Sequence, residues 1–295
     1  MTLLIRSLAA ATAIACSAAW AQPQADTAIP AISIISEQVA VGATPYQVQV
    51  ASGGSGRYTV IFESGFGTDL RAWRKVAPEI ARVARTVTYS RAGYGSSDPR
   101  PEQRTIEQNT IELEQLIAAA KFAPPYILVG HSYGGLLARS FAARHPEQVE
   151  GMVLVDPTDE SFNPALRKLD AARAAEDDRQ FAAIVPAKFQ SELKLLQPVL
   201  DSGTLSLAGK LPNVPTVLLT SVQQAEKPMF FLESPQAVAI KQDLHAKFLR
   251  QFSDSSHVIT SKSGHNIQLE EPELVIAAIN KVIAAADKKY MQERH

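Results

Sequence analysis

The sequence predicts an α/β fold: a mostly parallel sheet covered by helices on both faces, with a helical cap inserted into it. Three observations carry this. Tyr58–Phe62, Thr86–Tyr89, Tyr126–Val129, Met152–Val155 and Thr216–Leu219 are short apolar or β-branched runs with little polar alternation, as strands buried on both faces require. Segments of helical periodicity separate most of them, which is the order that builds a parallel sheet. Gly130-His131-Ser132-Tyr133-Gly134-Gly135 lies where one of these strands turns directly into a helix.

The chain has 295 residues, 46% hydrophobic and 20% charged, which suits one large globular domain and excludes disordered and collagen-like classes. Lys and Arg number 29 against 30 Asp and Glu. Without basic or acidic blocks, nothing suggests a nucleic-acid partner or a polybasic membrane patch, and a small, near-neutral substrate fits best.

Residues 1–21 read as a signal peptide. Arg6 precedes the apolar run Leu8–Ala19, which is shorter than the roughly 20 residues of a membrane span. Ala19-Trp20-Ala21 then offers small residues for cleavage after Ala21. The expectation is a periplasmic or secreted protein with no stable membrane insertion, its mature part an α/β domain over 22–295. Cys16, the single cysteine, falls within the signal, so the mature chain has neither disulfide nor thiol nucleophile.

Residues 22–30 read as an unstructured tail. Tyr46–Val50 and Tyr58–Phe62 read as an antiparallel hairpin turned at 52–56. Asp69 is placed to cap a helix reaching about Arg82, and Thr105 with Gln108 forms a capping box for the next. Pro124-Pro125 ends that helix, and Ser132–His145 is the helix after the glycine turn. Over 158–212 the alternation stops. Leu166, Leu169, Phe181, Ile184, Phe189, Leu193 and Leu196 recur at helical spacing, with Pro164, Pro186 and Pro198 as breaks, the sign of an inserted helical cap. Gln236–Phe252, a strand at His257–Thr260 and a terminal helix from Pro272 complete the chain.

Ser132 is the candidate nucleophile. A strand that turns sharply into a helix holds such a serine in a strained conformation with its hydroxyl clear of the sheet, and Gly130 and Gly134 remove side chains that would clash. An idle serine in a glycine-rich turn is the plain alternative. Tyr89–Pro99, with Gly93 and Gly95, and Ser263–Glu273, with Gly264, accompany it in sequence order. With Gly130–Gly135, these segments are similar to those of the α/β-hydrolase superfamily, in its serine esterase and haloperoxidase-like branch, over roughly residues 46–285.

The resemblance implies that His265, after the last strand and before the terminal helix, is the base. A neutral imidazole there takes the serine proton and returns it to the leaving group. His145, His245 and His257 read as surface or packing residues, and His131 as structural, directed away from the site. Two residues compete for the acid. Thr220–Ala225 offers no aspartate where most relatives carry one, and the first carboxylate there is Glu226. Asp156 ends the strand after the nucleophile helix, at the same sheet edge as Ser132, and is preferred; a mere Asp-Pro turn is its alternative role. The resemblance places the oxyanion hole at the backbone N–H groups of Phe66 and Tyr133. Glu63 and Arg91 either bind substrate or pair to tie two loops together, and the pair is preferred.

The expected activity is hydrolysis of a small carboxylic ester or lactone through an acyl-enzyme, with no cofactor and no metal, since the histidines and carboxylates are scattered. Amidase or aminopeptidase, acyl transferase or perhydrolase, and lyase chemistry run on the same triad. A non-catalytic ligand-binding member is a further alternative. Dehalogenases and epoxide hydrolases of this fold carry aspartate at the elbow, where this chain has Ser132.

Overall fold

A computed structural model describes residues 34–293 of the chain. The expected signal peptide and tail lie outside the described residues. The strands are β1 (Ile34–Val41), β2 (Tyr46–Gly53), β3 (Thr59–Glu63), β4 (Arg85–Tyr89), β5 (Tyr126–His131), β6 (Val149–Val155), β7 (Thr216–Ser221) and β8 (Ser255–Thr260). The helices are α1 (Ala77–Ile80), α2 (Ile106–Ala120), α3 (Tyr133–Arg144), α4 (Phe162–Leu169), α5 (Ala171–Ile184), α6 (Ala187–Ser202), α7 (Pro235–Leu249), α8 (Ile267–Glu270) and α9 (Pro272–Glu293). One sheet of eight strands runs β1-β2-β4-β3-β5-β6-β7-β8, antiparallel for β1/β2 and β2/β4 and parallel elsewhere.

Successive side chains of the parallel strands enter two separate cores. Ile61, Leu128, Met152, Leu154 and Leu218 pack on one face with Leu113, Leu116, Phe141 and Leu249 from α2, α3 and α7. Val60, Phe62, Ile127, Val129, Val153 and Val155 pack on the other with Trp73, Ile80, Val275 and Ile279. Both faces are therefore apolar, which is why these strands show little alternation in the sequence. Fully burying a side chain of this size contributes roughly 1.5–3 kcal/mol, so the centre of the sheet is a firm platform for whatever its strand ends carry.

Three local expectations are corrected. Tyr46–Val50 does not pair with Tyr58–Phe62. β2 lies between β1 and β4, and β3 sits between β4 and β5, because the apolar β3 gains more by burial inside the sheet than at its half-exposed margin. The helix expected from Asp69 to Arg82 is a 3-10 turn, Leu70–Trp73, followed by α1. Asp69 does cap the first piece, accepting from Arg71 N, but Pro78 has no N–H for the i→i−4 bond that would join the two. Pro164 and Pro198 lie within α4 and α6; only Pro186 separates helices, while Asp170 ends α4 and caps α5.

The three helices α4–α6 fill the segment between β6 and β7 where the cap was expected. A further piece, unmarked in the sequence, joins them. In the loop after β7, the N–H groups of Phe231 and Leu232 donate to the two oxygens of the buried Asp177 on α5, at 2.7 and 2.8 Å.

Candidate active site

β5 ends and α3 begins on either side of Ser132, whose φ of 53° and ψ of −125° lie in a region that non-glycine residues avoid. The strain is held by packing. A Cβ on Gly130 would stand 2.6 Å from the Gly134 carbonyl oxygen, and one on Gly134 would collide with the Glu63 backbone. Ser132 N–H donates to Val155 O at 3.2 Å, and its own carbonyl accepts from Gly135 and Thr158. The side chain is left half-buried at the C-terminal end of the sheet.

Asp156 follows β6 with φ 39°, and its N–H donates to Leu219 O at 2.8 Å. This turn aims the carboxylate at the loop after β8. His265 Nδ1–H donates to Asp156 Oδ2 at 2.7 Å, and Ser221 N–H donates to Oδ1 at 3.0 Å. Glu226, the other candidate, is exposed in the loop after β7 and has no hydrogen bond to His265. The Asp156 side chain is only 1% exposed and the His265 side chain 52% exposed, so the candidate acid and base meet at the boundary of core and solvent. Burial alone would raise the Asp156 pKa. The hydrogen bond from His265 and the charge of Lys241 more than offset it, holding the carboxyl well below the usual carboxylate range.

The His265 loop is fixed on several sides. Gly264 N–H donates to Glu270 Oε2 at 2.8 Å, and Ser221 Oγ donates to the Ser263 carbonyl at 2.7 Å. His131 corrects expectation. Its side chain is directed beneath His265 rather than away from the site, with ring centroids 4.7 Å apart, and its Nε2–H donates to the His265 carbonyl at 2.9 Å. Burial, then the neighbouring His265, lowers His131 to about 3, so it is a neutral donor. The other histidines among the described residues pair within the fold: His145 with Glu114 at 2.8 Å, and His245 and His257 both with Thr220 Oγ1 at 2.7 Å.

The loop 64–67 lies across the serine. A Cβ on Gly65 would stand 3.3 Å from that of Ser132. Among the described residues, neither Phe66 N–H nor Tyr133 N–H has a hydrogen-bond acceptor, Tyr133 opening α3 where helix amides are unpaired. Arg91 shapes this loop, its guanidinium donating to the carbonyls of Ser64 and Gly65 at 2.7 and 2.8 Å. It also stands 3.7 Å from Glu63, and both are buried. The pair thus tethers two loops inside the protein. Burial raises Glu63 to about 7 against the opposing pull of Arg91 and Tyr89.

Above the loop, the Phe66 ring lies 6.2 Å from Tyr133, 6.3 Å from Phe181 of α5 and 6.0 Å from Phe189 of α6. Tyr94 OH accepts weakly from Gly67 N–H at 3.4 Å and donates to Glu192 of α6 at 2.8 Å. Glu192 is fully buried beside Arg104 and Asn109. Four residues of this arrangement escaped the sequence reading: Ser221, Lys241, Asn109 and Glu192. Ser221 ends a strand where a carboxylate was sought, and that position was its only signal; the others lie on helices with nothing local to mark them.

The profile of the alpha/beta hydrolase fold matches residues 58–200. The uncharacterized protein YqjL of Bacillus subtilis is 31% identical over 236 residues, covering 79% of this chain and 86% of that protein. The chain belongs to the α/β-hydrolase superfamily. Among solved structures it is similar to a thermophilic esterase from Thermogutta terrifontis, at 19% identity and TM-score 0.56, covering 85% of this chain and 99% of that one. An epoxide hydrolase variant from Vigna radiata gives 18% identity, TM-score 0.63 and coverage of 85% and 99%.

Proposed function

We propose that the protein is a serine hydrolase that cleaves a small carboxylic ester or lactone through an acyl-enzyme on Ser132. The observation that carries this reading is the 2.7 Å bond from His265 Nδ1–H to Asp156, beside a serine held at φ 53°. That bond fixes the tautomer of His265, leaving Nε2 as the base. Ser132 Oγ attacks the acyl carbon as His265 takes its proton, and the oxyanion is received by the amides of Phe66 and Tyr133. The imidazolium then protonates the departing alcohol. Water, deprotonated by His265, releases the acid and restores the serine.

A serine at position 132 separates this chemistry from mechanisms that need an elbow aspartate. The aromatic residues around Phe66 favour an apolar acyl or alcohol group. Residues 1–21 support export to the periplasm or outside the cell, and N-terminal sequencing of the natively produced protein should begin at Gln22. The activity is tested with p-nitrophenyl acetate and butyrate, lactones and amides side by side. Ester or lactone turnover should dominate, and Ser132→Ala should lower kcat by at least about 10³-fold without loss of fold. Full turnover by that folded variant would overturn the reading.

A further inference from the structure

Resting on that reading, we infer that Lys241 is a positioning residue for the base: it shares the Asp156 carboxylate with His265 and so limits how strongly that carboxylate stabilises the imidazolium formed in the reaction. Lys241 lies on α7, 85 residues from Asp156, and its Nζ is 3.0 Å from each carboxylate oxygen. Its side chain is 22% exposed, so the ammonium is largely withdrawn from solvent toward a buried acid. Oδ1 thus receives Ser221 N–H and Lys241, and Oδ2 receives His265 and Lys241.

The physical consequence concerns charge. In a triad, the acid stabilises the imidazolium that forms when the base takes the serine proton. Here the same carboxylate already carries a permanent cation, and two groups each about 3 Å from one oxygen stand at most about 6 Å apart. Like charge at that distance disfavours protonation of His265. Lys241 therefore competes with the His265 imidazolium for the charge of Asp156 as the serine proton is transferred.

The remaining ionisable neighbours do not replace it. Against Asp156 stands His245 of α7, whose Nε2–H donates to the Pro157 carbonyl and which burial holds down at about 4. Around His265 stand the neutral His131, Glu270 on the amide of Gly264, and Glu271 on the hydroxyls of Ser263 and Thr260, with Lys262 three residues before it in the sequence. All are the same in the wild type and in a variant at position 241.

The test is the pH dependence of kcat/KM for p-nitrophenyl butyrate, measured from pH 4.5 to 9 on the full chain and on Lys241→Met, Lys241→Gln and Lys241→Arg, with thermal melts alongside. Lys241→Met should move the acid limb up by about 0.5–2 units, Lys241→Gln, which keeps an N–H donor but no charge, should do the same, and Lys241→Arg should restore the wild-type limb. Should the methionine variant not fold, the glutamine variant decides. An acid limb unchanged in the folded charge-free variants, even with a lower rate, would overturn the inference by making Lys241 a structural pin of α7. Activity in Ser132→Ala would instead sink the serine mechanism, so the two failures are distinct.

Discussion

The two flanks of Ser132 are built on opposite physical terms. On one side His265 is half-exposed and is tied to Asp156, Ser221 and Lys241 at the ends of β6 and β7 and on α7. On the other, Phe66 lies under α5 and α6, above a buried network of Arg91, Tyr94, Asn109 and Glu192. In the proposed mechanism the open flank governs a proton, so single charges there should change the pH at which the reaction runs. The covered flank governs geometry, and losing a partner there leaves a charge or carbonyl buried and unsatisfied.

The largest expected effect is on the open flank. Asp156→Asn keeps the shape but removes the charge that holds His265 and Lys241, and kcat should fall by about 10⁴-fold in a protein that still folds with a lower melting temperature. On the covered flank, Arg91→Met frees the carbonyls of Ser64 and Gly65 and should lower kcat by about 10²–10³-fold, the range for loss of an oxyanion donor. It also leaves Glu63 with the Tyr89 hydroxyl alone, and should lower stability by about 1–3 kcal/mol in denaturant titration. Adding Glu63→Gln should recover much of the stability and little of the rate; recovery of both would mean that Arg91 acts through charge rather than by holding the loop.

Smaller effects separate the flanks further. Tyr94→Phe removes the hydroxyl between Gly67 and Glu192 and should cost about tenfold in kcat, with KM nearly unchanged for p-nitrophenyl acetate. His131 is buried and neutral, with its pKa lowered to about 3. The unfolded chain binds that proton near the ordinary histidine value of about 6.5, so its contribution to stability is lost as pH falls from about 6.5 toward 3. His131→Gln retains a donor for His265 O and cannot take up the proton, so its melting temperature should fall less than the wild type's between pH 7 and 5. Glu226→Gln should change kcat/KM by less than about twofold, as expected of an exposed carboxylate without a role.

What was legible in the sequence follows the same division. Ser132 and His265 could be read because local turn chemistry marks them: glycines around one, and a Ser-Gly loop between the last strand and the last helix for the other. Asp156 was legible through its place at a strand end, once Thr220–Ala225 had offered no aspartate. Lys241 was not, since it reaches Asp156 from a helix 85 residues away and looks like any lysine on a half-buried helix face. Glu192 was equally hidden, a charged residue in an amphipathic helix that packs inward rather than outward. The parallel strands showed in their apolar runs. The pairing of β2 with β4 in place of β3 did not, because pairing depends on distant partners and the two strands are neighbours in sequence.

In the proposed mechanism both flanks serve one atom, the Ser132 hydroxyl oxygen. The most direct measurement is labelling of the folded full-length protein with a fluorophosphonate, followed by intact-mass and peptide mass spectrometry. One label per chain should appear, on the peptide containing Ser132, and be absent in Ser132→Ala. A stoichiometric label on another residue, or none on a folded protein that still turns over esters, would contradict a serine nucleophile.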